Sequence, residues 1–289
     1  MRICFLTFSI LSFLLLGCVS TRHVHDYTQK TLMALEKFEE IPISQQQVNK
    51  KEFDLTLVRK ASILTHDEYN QGLLQSRNYI GSKDADSITQ LIYTVCLNYF
   101  EALDNLSEKS LGAVKMDPLS TAISKGNFGG IGITEENMKS YNRLANQIGN
   151  AITGTYRLKK LREHVREGNA PLQAMLSKLH EIVSENYLLN IEKERQNLQA
   201  LYFEFSKDSS ATGFERKNIT QEYYTATRRL SNTERQVQIY GKALTAMMKV
   251  HQRLHDNLDQ IKNSQLRKEL AEYGSTLKVL IATFNKLQN

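Results

Sequence analysis

The sequence predicts an all-α fold: an elongated antiparallel helical bundle with coiled-coil-like long helices. Three observations point there. Proline is scarce, only 3 in 289 residues, and none follows Pro171. Apolar residues recur every three or four positions over most of the chain, the helical period. From Ile219 onward they follow alternating steps of four and three: Ile219, Tyr223, Ala226, Leu230, Thr233, Val237, Tyr240, Leu244, Met247, His251, Leu254, Leu258 and Ile261, all apolar except Thr233 and His251. That is a sustained heptad seam. A helix over residues 214–262 reaches about 70 Å at 1.5 Å per residue, too long for a compact core to wrap. It requires long partners, and residues 134–168 and 170–206 are the candidates.

The elements follow in order. A helix is expected from Asp26 to Glu40, with Leu32, Leu35 and Phe38 on one face and Pro42 as its stop. Residues 43–64 are ambiguous, since Val48, Phe53, Leu57, Ala61 and Leu64 allow only a broken helix. Thr65 and Glu68 have the spacing of a capping box. They open a helix carrying Tyr69, Leu73 and Ile80, with Gly81 as its C′ residue. Ile88, Leu91, Ile92, Val95, Tyr99, Leu103 and Leu106 form the stripe of the next helix, from Asp84 to Ser110. The main break is residues 111–133, which hold Pro118, Gly126, Gly129, Gly130 and Gly132. A helix then starts after Thr134, with Glu135 and Glu136 favouring its dipole. Its stripe is Met138, Tyr141, Ala145, Ile148 and Ile152. Gly168 and Asn169 are expected to end it, and Pro171 to open the next, which runs to Ser206. After the long helix over 214–262, in which Gly241 should cost about 1 kcal/mol relative to Ala, a last helix spans Gln265 to Lys286. No internal repeat and no low-complexity segment is present.

Composition narrows function. The chain is 41% hydrophobic and 24% charged, an ordinary globular balance. Its net charge of +6 is mild and dispersed, so nucleic acid is not expected as a partner. Three cysteines exclude a disulfide scaffold. Cys96 sits among apolar residues and reads as an inert buried thiol rather than a nucleophile.

Residues 1–17, MRICFLTFSILSFLLLG, carry Arg2 and then no charge. The run is short for a bilayer span and fits a signal peptide. Its end, Leu15-Leu16-Gly17-Cys18, resembles the lipobox of bacterial lipoproteins. The resemblance implies cleavage between Gly17 and Cys18, with acyl chains including palmitate on Cys18. Leu16 departs from the usual small residue at its place. The acyl chains would anchor the protein stably to a membrane. Val19 follows, where the enterobacterial inner-membrane retention signal has Asp. The periplasmic face of the outer membrane is therefore expected over the inner membrane. Residues 18–26 form the lipidated tether and 27–289 the helical domain, with a subdivision conceivable at 111–133. Without residues 1–17 the chain keeps 36 basic and 31 acidic residues, a charge of +5.

Several patterns invite chemistry, each with a plainer reading. The glycine-rich stretch Gly126–Gly132 precedes a helix, as a phosphate cradle does. No Lys-Ser or Lys-Thr follows, and Glu135 and Glu136 would repel an anion, so a connector is the better reading. His251 and His255 have the spacing of a zinc-protease pair. Gln252 stands where the catalytic Glu belongs and cannot take a proton from a metal-bound water. His251 is instead a polar seam residue that fixes register. His23 and His25 read as incidental on the tether. Arg157, Lys159, Lys160, Arg162 and Arg166 gather beside Tyr156, Leu158, Leu161 and Val165. They are the candidate contact for a partner or for anionic lipid. The plainer reading is a solvated face near a helix C-terminus.

No metal site and no cofactor are expected. The leading expectation is a non-enzymatic envelope scaffold with a protein partner. The alternatives are a ligand-binding or immunity-type helical module, and an enzyme with an unrecognised site.

Overall fold

The structure, a computed structural model, describes residues 21–60, 64–75, 77–107, 132–151, 157–261 and 263–288. These form an all-α bundle, and no strand occurs among the described residues. In chain order the helices are α1 (Arg22–Leu35), α2 (Gln45–Arg59), α3 (His66–Gln75), α4 (Arg77–Ser107), α5 (Glu135–Ala151), α6 (Arg157–Glu181), α7 (Leu188–Ser206), α8 (Gly213–Asp256) and α9 (Ser264–Asn285). A six-residue π-helical segment, Ile182–Tyr187, joins α6 to α7.

The core lies where α1, α4, α6, α8 and α9 meet. Tyr27 of α1 packs on Phe100 of α4 and Tyr273 of α9, with ring centroids 6.1 and 5.4 Å apart. The Tyr240 hydroxyl of α8 donates to the Leu35 carbonyl at 3.3 Å. At the other end of α1, the His23 ring hydrogen-bonds the Ile261 backbone. So α1 runs antiparallel to α8, and the start of the described chain lies beside the C-terminal end of α8. Thr31 meets Tyr273, and Lys37 stands over the Phe284 ring, so α9 runs parallel to α1.

Several expectations need correcting. The residues assigned to the tether are helical from Arg22 on, because Val24 is fully buried and Thr21 is tied to the Ser107 carbonyl at 2.6 Å. The first helix stops at Leu35 and ends in a 3₁₀ turn, Glu36–Phe38. The described part of the ambiguous stretch holds one helix, α2, whose apolar residues do not share a face. Caps hold it instead: Ser44 accepts from the Gln47 amide, and Asp86 of α4 accepts from those of Gln45 and Gln46. Gly81 lies inside α4 and is no C′ residue. The Thr65–Glu68 capping box is present, with reciprocal side-chain and backbone bonds.

Gly168, Asn169 and Pro171 do not end a helix either, since α6 runs through all three. A Cβ on Gly168 would lie 2.4 Å from the Tyr99 ring, so the glycine allows α4 to approach α6 closely. Asn169 is buried against α8. Packing, not termination, accounts for this pair. The seam helix ends at Asp256 and is followed by a 3₁₀ turn, Leu258–Gln260. Gly241 also has a tertiary role, since a Cβ there would meet the Ser184 hydroxyl at 2.6 Å.

Candidate functional site

The seam of α8 divides in two. From Leu230 to Ile261 every seam residue is buried. From Glu192 of α7 to Arg229 of α8 no residue is buried. This stretch is a two-helix arm. Arg195 pairs with Glu234 across it, and Tyr202 stacks on Tyr223 at 4.4 Å. Gly213 lies 17 residues before Leu230, so α8 projects about 25 Å past its last buried residue.

The tip of the arm is well built. The Asp208 carboxylate accepts from the Ser210 amide and hydroxyl at 2.8 and 2.6 Å. Thr212 and Glu215 form a capping box that starts α8. These hydrogen bonds stabilise the charged carboxylates and hold both pKa values below the ordinary range. Beside this turn three aromatic side chains face solvent, Phe203 (50% exposed), Phe205 (38%) and Phe214 (73%), and Tyr224 (58%) does so ten residues further along α8. Exposed rings near one turn make this end of the arm a candidate interaction surface. The sequence held a signal for it. Tyr202, Phe203 and Phe205 are spaced by one and two positions, so a helix cannot point all three to one side.

The basic stretch chosen from the sequence lies elsewhere. It occupies the first turns of α6, where the helix dipole disfavours cations, and not a C-terminal end. Lys159 and Lys160 both face Glu163, at 3.8 and 3.6 Å, and Arg166 faces Asp259 at 3.6 Å. Arg162 is half-buried. The Arg157 side chain and Tyr156 lie outside the described residues, as do Gly17, Cys18 and Gly126–Gly130. Leu161 and Val165 are fully buried. The apolar half of the expected surface therefore belongs to the core.

A buried polar network crosses the base of the bundle. Asn169 Nδ2 donates to Gln252 Oε1 at 2.8 Å, which leaves Asn169 Oδ1 to accept from His251 Nδ1, also at 2.8 Å. His251 Nε2 then accepts from the Tyr99 hydroxyl at 2.8 Å. The imidazole is neutral, and burial lowers its pKa from 6.5 to about 3, helped by His164 and His255. His164 stacks on the Tyr99 ring at 4.3 Å and donates from Nε2 to the Tyr99 carbonyl. Two of these bonds join α6 to α8, one joins α4 to α8 and one joins α4 to α6, so the network locks register among the three helices. His255 turns aside to Asp256, so the two histidines do not converge.

Cys96 is fully buried, and burial pushes its thiol pKa up, as an unreactive cysteine requires. His25 is not incidental, because it bonds Asp104 at 2.8 Å and helps seat α1. Among the described residues no group of three His, Cys, Asp or Glu side chains has metal-site geometry, and no helix is long and apolar enough to cross a membrane. No protein-family model, no characterised protein and no solved structure matches this chain.

Proposed function

We propose that this chain is a bacterial envelope lipoprotein, anchored through Cys18 at the periplasmic face of the outer membrane, and that it acts as a non-enzymatic scaffold. Its working surface is the aromatic tip of the α7–α8 arm. The observation that carries this reading is the placement of Phe203, Phe205 and Phe214 beside a capped turn well beyond the core. The direction of the arm supports it. Cys18 is four residues from Arg22, at most about 15 Å of chain. Arg22 lies at the C-terminal end of α8, and the tip lies at its N-terminal end. From Gly213 to Ile261 is 48 residues, about 70 Å of helical rise. A lipid on Cys18 would hold one end of the molecule near the bilayer and leave the aromatic tip free to meet a partner at a distance.

Two measurements test this. Cys18→Ser should block acylation and release the protein from membranes. Labelling with radioactive palmitate and fractionation read both effects. A photo-crosslinking residue at Phe214 should give a discrete protein adduct in intact cells. The same residue at Val279, which is 65% exposed on α9, should not. Equal adducts at both positions, or none at Phe214, would remove the tip as the working surface.

A further inference from the structure

A groove of about 370 Å³ runs between α1 and α9, at the base of the bundle. Its size is at the small end for ligand sites, which span roughly 300–1,000 Å³. One wall is the His23, Asp26 and Lys30 face of α1, and the other is the Arg267, Leu270, Gly274 and Lys278 face of α9. Leu270 is buried and supplies an apolar floor. Gly274 has no side chain, and the stem of Lys30 passes there, its Cγ 3.6 Å from where a Cβ would stand.

The charges in this groove are unbalanced. Lys30, Arg267 and Lys278 line it, and none of them forms an ion pair among the described residues. This contrasts with the basic stretch of α6, where Lys159, Lys160 and Arg166 already face carboxylates. Asp26 is the one acid in the lining. His23 adds a ring nitrogen, Nε2, that is buried without a hydrogen-bond partner; with the ring N–H given to the Ile261 backbone, Nε2 is an acceptor suited to a glycerol hydroxyl. An Arg fork with two ammonium groups beside an apolar floor suits a phosphate ester, with its anionic oxygens at the rim and its carbon skeleton on Leu270.

We propose that the α1–α9 groove is a binding site for a glycerol phosphodiester, with Lys30, Arg267 and Lys278 as its anion contacts. Two sources offer that chemistry: the headgroup of an anionic phospholipid and a free soluble phosphodiester. The site itself stands apart from the reading of Cys18. Only the preference for the lipid source rests on it, because His23 is five residues from Cys18 and the groove would then open beside the bilayer.

The test is calorimetric titration of the full chain in a non-ionic detergent at low salt. The ligands are dioctanoyl phosphatidylglycerol, dioctanoyl phosphatidylcholine and glycerophosphoglycerol. The double variant R267E/K278E should weaken binding of the anionic ligand on the order of tenfold or more. The control K268E/K286E makes the same charge change on exposed positions outside the groove and should leave binding within about twofold, since such surface charges are screened. Binding of the lipid alone assigns the membrane source, and equal binding of glycerophosphoglycerol assigns the soluble one. No heat with either anionic ligand overturns the site. Equal weakening by both variants overturns it as well, since the effect would then be net charge. Failure of the Cys18 reading would appear separately, as absent palmitate label with binding intact.

Discussion

The inner and outer halves of α8 carry the same heptad pattern and meet opposite fates. Tyr240 and Leu244, in the inner half, are 1% and 0% exposed. Ile219, Tyr223 and Ala226 occupy equivalent steps in the outer half and stay half-exposed. The difference lies in the number of neighbours. The inner half meets α1, α4, α6 and α9 and the π-helical segment, and the outer half packs on α7. A single partner can cover one side of a helical stripe and no more. Periodicity therefore reports which face of a helix is apolar. Whether that face is fully desolvated depends on how many other helices reach it.

Mutations at equivalent seam positions sharpen this contrast. Leu244→Ala should cost about 2–5 kcal/mol, because it opens a cavity in a closed core. Ile219→Ala should cost less than about 1 kcal/mol, since water already wets the site. Urea unfolding of the two variants measures the gap, and equal losses would mean that the arm is as well packed as the base.

Next in size is His251→Leu. It removes the 2.8 Å partner of the Tyr99 hydroxyl and of Asn169 Oδ1, leaving each with a long bond, to the His164 carbonyl at 3.4 Å and from Gln173 at 3.5 Å, at a cost of about 1–3 kcal/mol. The same residue sets a pH dependence. Its pKa is depressed in the folded protein to about 3 from 6.5, so the unfolded chain binds more protons between those values. The contribution is fully present above pH 6.5 and is lost as pH falls towards 3. Urea midpoints measured over that range should decline for the wild type and decline less for His251→Leu. An equal decline in both would show that other groups set the acid sensitivity.

The two helical glycines give a smaller and more discriminating pair. Gly168→Ala forces a methyl into the buried Tyr99 ring and should cost about 1–3 kcal/mol. Gly241→Ala meets only the Ser184 hydroxyl, which can rotate away. Its gain of about 1 kcal/mol in helix propensity should offset most of that strain. Thermal denaturation should rank Gly168→Ala clearly below Gly241→Ala, and the reverse order would contradict the packing at both sites. The smallest effect belongs to the tip. Phe214→Ser should leave stability within about 0.5 kcal/mol, because the ring is solvated in the free protein. A larger loss in the same melts would mean that Phe214 serves the fold.

Local signals were legible in the sequence and distant ones were not. The Thr65–Glu68 box lies within four residues, and the stripe of α4 recurs within one helix, so both could be read directly. Of the stripe residues, Ile88, Ile92, Val95, Tyr99, Leu103 and Leu106 are buried and Leu91 is half-buried. By contrast, α2 depends on a carboxylate from Asp86, about 40 positions away in sequence. Gly168, Asn169 and Pro171 have the composition of a helix boundary, yet Tyr99 and His251 select the first two for close packing. The basic stretch looked amphipathic because its aliphatic residues alternate with cations, but α4 and the rest of the core take up the aliphatic side. The tip has no signal in the heptad seam, which reports only the inward face of α8.

The sequence by itself determined the helical class, the long α8 helix, the stretches that hold two of its partners, α6 and α7, and the inward position of His251. All of these follow from spacing along one chain, which fixes the faces of a helix before it meets a neighbour. Tertiary structure decided where the core ends, why glycine is needed beside Tyr99, and which cations are left unmatched in the α1–α9 groove. Those outcomes depend on contacts between residues far apart in sequence, and no local period encodes how many helices converge at a given level of the bundle.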